Sequence, residues 1–291
     1  MKKVLKTVYD KIPLKREVFS IVKKFAAPSE RTYRHLHFRG NIKVKIDDSH
    51  SFKIRHYGYE VENSIFWAGL TNGWEKVSLS IWIKLARSAD VVFDIGANTG
   101  VYSLIAKSLN PQAQVYAFEP VKRVFEKLEF NNQLNGYDIN CFERAASDSD
   151  GTAIIYDTAD EHTYSVTIGK NLNAPDVPVK SVNIETVRLD TLVENLRIPK
   201  IDLIKLDVET YEPEVIEGLG RYLEEFKPTM LVEVLNDDVG RRIESLVNGK
   251  GYVYLNLDEE MGTIKPVRHI SKSDDYNYLI CSEEVAKLVM N

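Results

Sequence analysis

The chain holds only two cysteines, Cys141 and Cys281, each in an apolar run. Two are too few for a disulfide framework, so both read as small buried hydrophobes in a reducing compartment. No apolar run approaches the ~18 residues of a membrane-spanning helix. The stretch Met1-Lys2-Lys3-Val4-Leu5-Lys6 is broken by charge too early for a signal-peptide core, and the chain reads as cytoplasmic. An excess of positive charge is also missing. Lys and Arg number 38 against 43 Asp and Glu, a net of −5, which argues against a nucleic-acid partner. Internal repeats and a Gly/Ser linker are absent, and the six histidines show no metal-ligand spacing. What remains is an ordinary balance, 44% hydrophobic and 28% charged, in a chain of 291 residues that can bury a full core.

The charge is unevenly spread. Residues 1–34 carry ten Lys and Arg against three acids, a net of +7, so the rest carries −12. Val4, Leu5, Val8 and Ile12, then Val18, Phe19, Ile21, Val22 and Phe25, give this segment two amphipathic pieces divided by Pro13. Two readings stand side by side: a packing arm with solvated charges, or a helix lying peripherally on an anionic membrane. Ile42, Val44 and Ile46, then Phe52 and Ile54, predict two strands around the turn Asp47-Asp48-Ser49-His50. A helix follows over about 76–86. These pieces make an N-terminal part, residues 1–85, ahead of a larger domain over 86–291.

From residue 90 the pattern alternates. Strands are expected at 91–95, 114–118, 139–144, 201–206, 229–234, 252–257 and 276–281, and helices at 101–109, 121–134, 212–219 and 239–248. Strand-helix alternation predicts a doubly wound α/β fold with a mostly parallel sheet and a site at the C-terminal strand ends. Residues 151–190 break the rhythm as a β-rich insertion between the third and fourth strands. It starts on the site's edge and is expected to serve as a wall or lid.

The sharpest motif is Asp94-Ile95-Gly96-Ala97-Asn98-Thr99-Gly100, between a hydrophobic strand and an apolar helix. Gly96 and Gly100 let the backbone, with Asn98 between them, turn tightly and approach a ligand. Glu119 ends the next strand, where a carboxylate takes both ribose hydroxyls of an adenosine. A nicotinamide site wants Gly-x-Gly-x-x-Gly for its pyrophosphate, whereas this spacing is Gly-x-x-x-Gly behind an acid. Asp94 suits a cationic, phosphate-free ligand: S-adenosylmethionine, whose ammonium-binding loop the acid would orient directly or through water.

These residues resemble the FkbM-type class I S-adenosylmethionine-dependent methyltransferases. The likeness rests on Val92-Phe93-Asp94 to Gly100, on Ala117-Phe118-Glu119-Pro120, on Arg188-Leu189-Asp190-Thr191-Leu192, and on Ile201-Asp202-Leu203-Ile204-Lys205-Leu206-Asp207-Val208-Glu209. It implies a seven-stranded Rossmann-like methyltransferase sheet whose last strand is antiparallel. It also implies that Ala146 and Asp148 lie near the adenine, that Pro120 belongs to the ribose turn, and that Glu75 contacts cofactor or acceptor. Plainer readings stay open for two of them: Asp148 as a turn acid before Gly151, and Glu75 as a helix-start acid. The family usually places Gly after Asp-Val-Glu; here Thr210 and Tyr211 follow, so a stiffer, bulkier loop is expected.

Asp207 is the candidate base, at the end of the fourth strand. Strand alternation would put Glu209 beside it, and two neighbouring carboxylates raise each other's proton affinity. His162, in the insertion, is a second candidate catalytic group. Asp207, Glu209 and Glu233 offer oxygens to a hard cation, yet acids at strand ends are common and no metal is assigned. The expected reaction is methyl transfer to a hydroxyl of a sugar, glycan or related small molecule, with N-methylation open. A nicotinamide-dependent oxidoreductase, and a cofactor-binding protein without catalysis, are the alternatives. Homo-oligomerisation is left open.

Overall fold

The computed structural model describes residues 14–158, 167–169 and 179–290. Its contacts divide the chain into two units, Met1–Lys76 and Val77–Asn291.

In the first unit, helices α1 (Lys15–Phe25) and α2 (Glu30–Tyr33) precede strands β1 (Gly40–Lys45) and β2 (Ser51–His56). The strands pair antiparallel, as their alternation predicts, from Gly40 opposite His56 to Lys45 opposite Ser51. Asp47 shapes their turn by accepting from the amides of Ser49 (2.8 Å) and His50 (2.7 Å). Helix α3 (Glu60–Ala68) buries Ile65, Phe66 and Trp67.

Helix α4 (Lys76–Ala86) leads into the second unit. Its free first-turn amides, on Val77 and Ser78, donate to the Glu259 carboxylate at 2.7 and 3.0 Å. The alternating part then runs β3 (Val91–Ile95), α5 (Val101–Leu109), β4 (Gln114–Phe118), α6 (Lys122–Asn135) and β5 (Asn140–Phe142). Next come β6 (Ala145–Ser147), β7 (Gly151–Thr158), β8 (Val179–Arg188), α7 (Leu189–Leu196), β9 (Leu203–Leu206), α8 (Glu212–Gly218) and α9 (Tyr222–Glu225). The chain ends in β10 (Thr229–Glu233), α10 (Asp237–Val247), β11 (Val253–Asp258), β12 (Thr263–Val267), β13 (Asn277–Cys281) and α11 (Glu283–Met290).

The main sheet has the order β12-β11-β13-β10-β9-β3-β4-β5. It holds eight strands, not seven. The seven expected strands are all there, with β13 antiparallel to both β10 and β11. The eighth, β12, pairs antiparallel with β11 at the edge, where Pro266 needs no ladder partner on its outer side. Strands β3 and β9 are buried along their whole length, which is why they read as unbroken apolar runs. The insertion supplies two strands of a separate three-stranded sheet, β6-β8-β7, with β7 and β8 antiparallel from Gly151 opposite Thr186 to Thr158 opposite Val179, and β6, which precedes the insertion, joins β8 in parallel. Among the described residues no helix is long and apolar enough to cross a membrane.

Candidate functional site

Strands β3, β4 and β9 run parallel, so their C-terminal ends meet on one edge. Beyond β3 the chain turns at once. The amides of Gly96 and Ala97 both donate to the Phe118 carbonyl, at 3.0 and 2.9 Å, which pins the glycine loop to the end of β4. Gly96 has a φ of 78°, and a Cβ placed there would fall 1.8 Å from the Asp207 carbonyl oxygen. Only glycine lets the two strand ends approach this closely. Asn98 (φ 51°) and Gly100 (φ 91°) complete the left-handed turn into α5.

Glu119 closes this loop from beneath. Its buried carboxylate accepts from the Asn98 amide at 3.1 Å with one oxygen and from the Val121 amide at 2.9 Å with the other. Pro120 lies between these anchors, its fixed φ turning the chain toward α6. Burial outweighs the two amides and pushes the Glu119 carboxyl up to about 7. Asp94 is also buried, and burial pushes it up to about 6. Its carboxylate points at α5 rather than along the loop, accepting from the Ser103 amide (2.9 Å) and hydroxyl (2.6 Å). Asp94 therefore fixes the helix that the loop enters.

At the end of β9 the structure corrects one expectation. The strand stops at Leu206, and Glu209 (φ 56°) and Thr210 (φ 79°) turn left-handed. Alternation thus ends before Asp207, and it gives no ground for a coupled Asp207–Glu209 pair. The charge beside Asp207 is instead the buried Lys205, whose Nζ lies 3.2 Å from Asp207 Oδ2 and 5.2 Å from the Tyr102 ring centre. Lys205 also stands opposite Asp94 in the sheet register. Thr210 is a β-branched residue where the family's glycine would sit without strain. The sequence reading passed over what holds it: Glu212 Oε1 accepts from the amides of Val208 (3.1 Å) and Thr210 (3.2 Å). The other Glu212 oxygen is buried with no hydrogen-bond partner among the described residues, and burial pushes this carboxyl up to about 7. An acid directly before Pro213 was its only sequence signal, and that reads equally well as a dipole-favoured helix start.

Ala146 lies buried in β6, and Ser147 packs its carbonyl against Gly218, where a Cβ would come within 2.1 Å. Ser147 Oγ is 3.3 Å from the Tyr211 hydroxyl and donates to Asp148 at 3.1 Å, linking the β6 end to the β9–α8 loop. The Arg188 and Asp190 of the family-like motif do structural work. Arg188 forks onto Asp190 (2.9 and 2.7 Å) and also donates to the Asp148 carbonyl. Glu233 ends β10 opposite Asn277. Glu75 belongs to the first unit, with a φ of 46°. His162 lies outside the described residues. Among the described residues no cluster of three or more His, Cys, Asp or Glu is arranged for a metal.

At the glycine loop, then, the Glu119 carboxylate holds the Asn98 amide, the Asp207 carbonyl oxygen packs on Gly96, and Asp94, turned to α5, stands opposite the buried Lys205. A buried carboxylate on the loop disfavours a pyrophosphate and suits hydroxyl donors such as those of an adenosine. If Glu119 takes the ribose hydroxyls, it must be ionised to do so. S-adenosylmethionine affinity is then expected to rise with pH, by up to about tenfold per unit below pH 7, and to level off above it. Calorimetry across pH 6 to 8 checks this. Glu119→Gln should flatten the profile, and Glu212→Gln should leave it standing.

Residues 94–254 match the family model described as the methyltransferase FkbM domain. A hexuronic acid methyltransferase, AglP, of Haloferax volcanii is 28% identical over 150 residues, 52% of this chain and 58% of that protein. The 31-O-demethyl-FK506 methyltransferase FkbM of Streptomyces tacrolimicus is 32% identical over 157 residues, 46% and 60% of the two chains. The 2-O-methyltransferase NoeI of Sinorhizobium fredii is 28% identical over 154 residues, 49% and 63%. The chain thus spans about three-fifths of the length of these curated relatives.

Proposed function

The chain belongs to the FkbM methyltransferase family, whose cofactor is S-adenosylmethionine, and we propose that it methylates a hydroxyl of a sugar, glycan or related polyol metabolite. The observation that carries this reading is the Glu119 carboxylate bound to the glycine loop, together with an acid at the adjoining end of β9, Asp207, that is open to an incoming acceptor. Its side chain is 30% exposed, while Asp94 and Glu119 are buried.

The roles follow from those positions. Glu119 receives the ribose hydroxyls while its present bonds hold Asn98 and Val121 in place. Asp94, through Ser103, and the loop beyond it present the ammonium site. When bound, the cofactor supplies a methyl group activated by the positive sulfur. Asp207 receives the proton that the acceptor hydroxyl gives up, and Lys205 beneath it fixes the carboxylate's direction. Glu212 keeps the chain after Asp207 in its left-handed turn and so aims the base. Alignment of this kind is worth ~7–11 kcal/mol in well-oriented reactions. Hydroxyl acceptors are favoured because two relatives carry an O-position in their names and a third is named for a hexuronic acid.

The test is transfer of label from methyl-labelled S-adenosylmethionine onto hexoses, hexuronic acids, nucleotide sugars and matched amines. Label in an alkali-stable ether on a sugar is the expected product. Label on amines alone would replace the hydroxyl reading.

A further inference from the structure

Helix α1 is fastened to its unit by one face only. The Phe19 ring lies 5.5 Å from that of Trp67 and 6.2 Å from that of Phe38. Lys23 donates to the Phe66 carbonyl and sits 5.2 Å over the Phe66 ring. No residue of the helix is buried.

The outward face is the unusual one. Leu14, Val18, Ile21, Val22 and Phe25 recur at helical spacing, which lines them in a stripe about 100° wide. Leu14 is 68%, Ile21 59% and Phe25 85% exposed. Other exposed large hydrophobics, such as Ile154, Leu196 and Met261, are scattered singly and need no partner. At 100° per residue, Lys15 borders the stripe on one side; on the other come Glu17, which is paired with Arg16, and then Lys24. An apolar face turned outward on a helix with four basic residues and one acid asks for a covering surface.

We propose that this face seats on an anionic lipid surface. The segment's charge favours lipid over a second copy of the chain. Residues 1–34 carry +7, so pairing two such helices would bring like charge against like charge. The stripe's five side chains also offer far less than the ~800 Å² per partner of a stable dimer. A membrane interface needs neither. It accepts an apolar face sunk ~5–10 Å, with lysines reaching up to the headgroups. Each basic residue near an anionic leaflet strengthens binding about fivefold, and salt screens that gain.

The experiment is flotation of the full chain with phosphatidylcholine vesicles, with and without phosphatidylserine. The expected result is flotation with the anionic vesicles, lost at high salt. The double variant Ile21→Asp/Phe25→Asp should lower partitioning at least tenfold with an unchanged circular dichroism spectrum. Leu196→Asp, an exposed apolar position outside α1, should float like the parent chain. Equal flotation of the parent and the double variant would overturn the proposal, as would failure of the parent chain to float. A parent dimer on gel filtration that the double variant splits would make a second copy the occupant instead.

Discussion

Asp207→Asn is expected to lower turnover by ~10²–10⁴-fold while S-adenosylmethionine affinity changes little. The amide keeps the shape of the side chain and can still accept from Lys205 Nζ, now 3.2 Å away. It cannot take a proton from a hydroxyl. Cofactor contacts are assigned to the ends of β3 and β4, so binding and chemistry should separate cleanly. The variant leaves the buried Lys205 with less negative charge beside it, yet Asp94 stays opposite it in the register, so the fold should survive. Single-turnover rates alongside calorimetric affinity decide the matter. A matched fall in affinity would mean that Asp207 holds the cofactor's cationic end. Near-normal turnover would remove it as the base.

The strand ends owe their closeness to a missing side chain, and Gly96→Ala should show the cost. The new Cβ would meet the Asp207 carbonyl oxygen at 1.8 Å and its carbon at 2.9 Å. That carbonyl cannot swing aside freely, because the amide of the same planar peptide unit, on Val208, donates to Glu212 at 3.1 Å. Overpacking of this kind costs ~1–3 kcal/mol, and a left-handed φ adds ~1–2 kcal/mol for an L-residue. A total of about 2–5 kcal/mol is expected from denaturant unfolding, with cofactor binding abolished or nearly so. Gly136→Ala is the control. It has a φ of 66° but nothing within 4 Å, so only the backbone cost of about 1 kcal/mol applies. Equal losses in the two variants would mean that the contact with Asp207 is not a constraint.

Much of this was legible in the sequence where the signal is local. Strand β3 and helix α5 could be placed because a fully apolar run gives way to a Gly-bounded turn and then to a second apolar run at helical spacing. Glu119 could be placed because it ends the next strand. Strand β12 was missed because Thr263, Lys265 and Pro266 dilute its apolar residues, a pattern tolerated only at a sheet edge. Helix α7 was missed because its apolar start continues the run of β8, and the switch of period falls within one residue.

Partners that meet through the sheet register or by a side chain reaching back were out of reach. Lys205 lies two residues before Asp207, a spacing that puts both on one side of a strand, but its place opposite Asp94 comes only from the register. Ser103 reaches Asp94 only once α5 is laid over β3. Glu212 holds Val208 and Thr210 by folding back over the loop before it. The alternation argument for Asp207 and Glu209 failed for the same kind of reason, since a period of two holds only while the backbone stays extended.

Calorimetric titration of the full chain with S-adenosylmethionine, and separately with NAD, tests the central claim most directly. One S-adenosylmethionine bound per chain at pH 8, an affinity that falls at least tenfold in Glu119→Ala, and no heat from NAD are the predicted results; the lost bonds to a charged acceptor are worth ~1.5–3 kcal/mol each. Binding of NAD in place of S-adenosylmethionine, or an unchanged affinity in Glu119→Ala, would contradict the account.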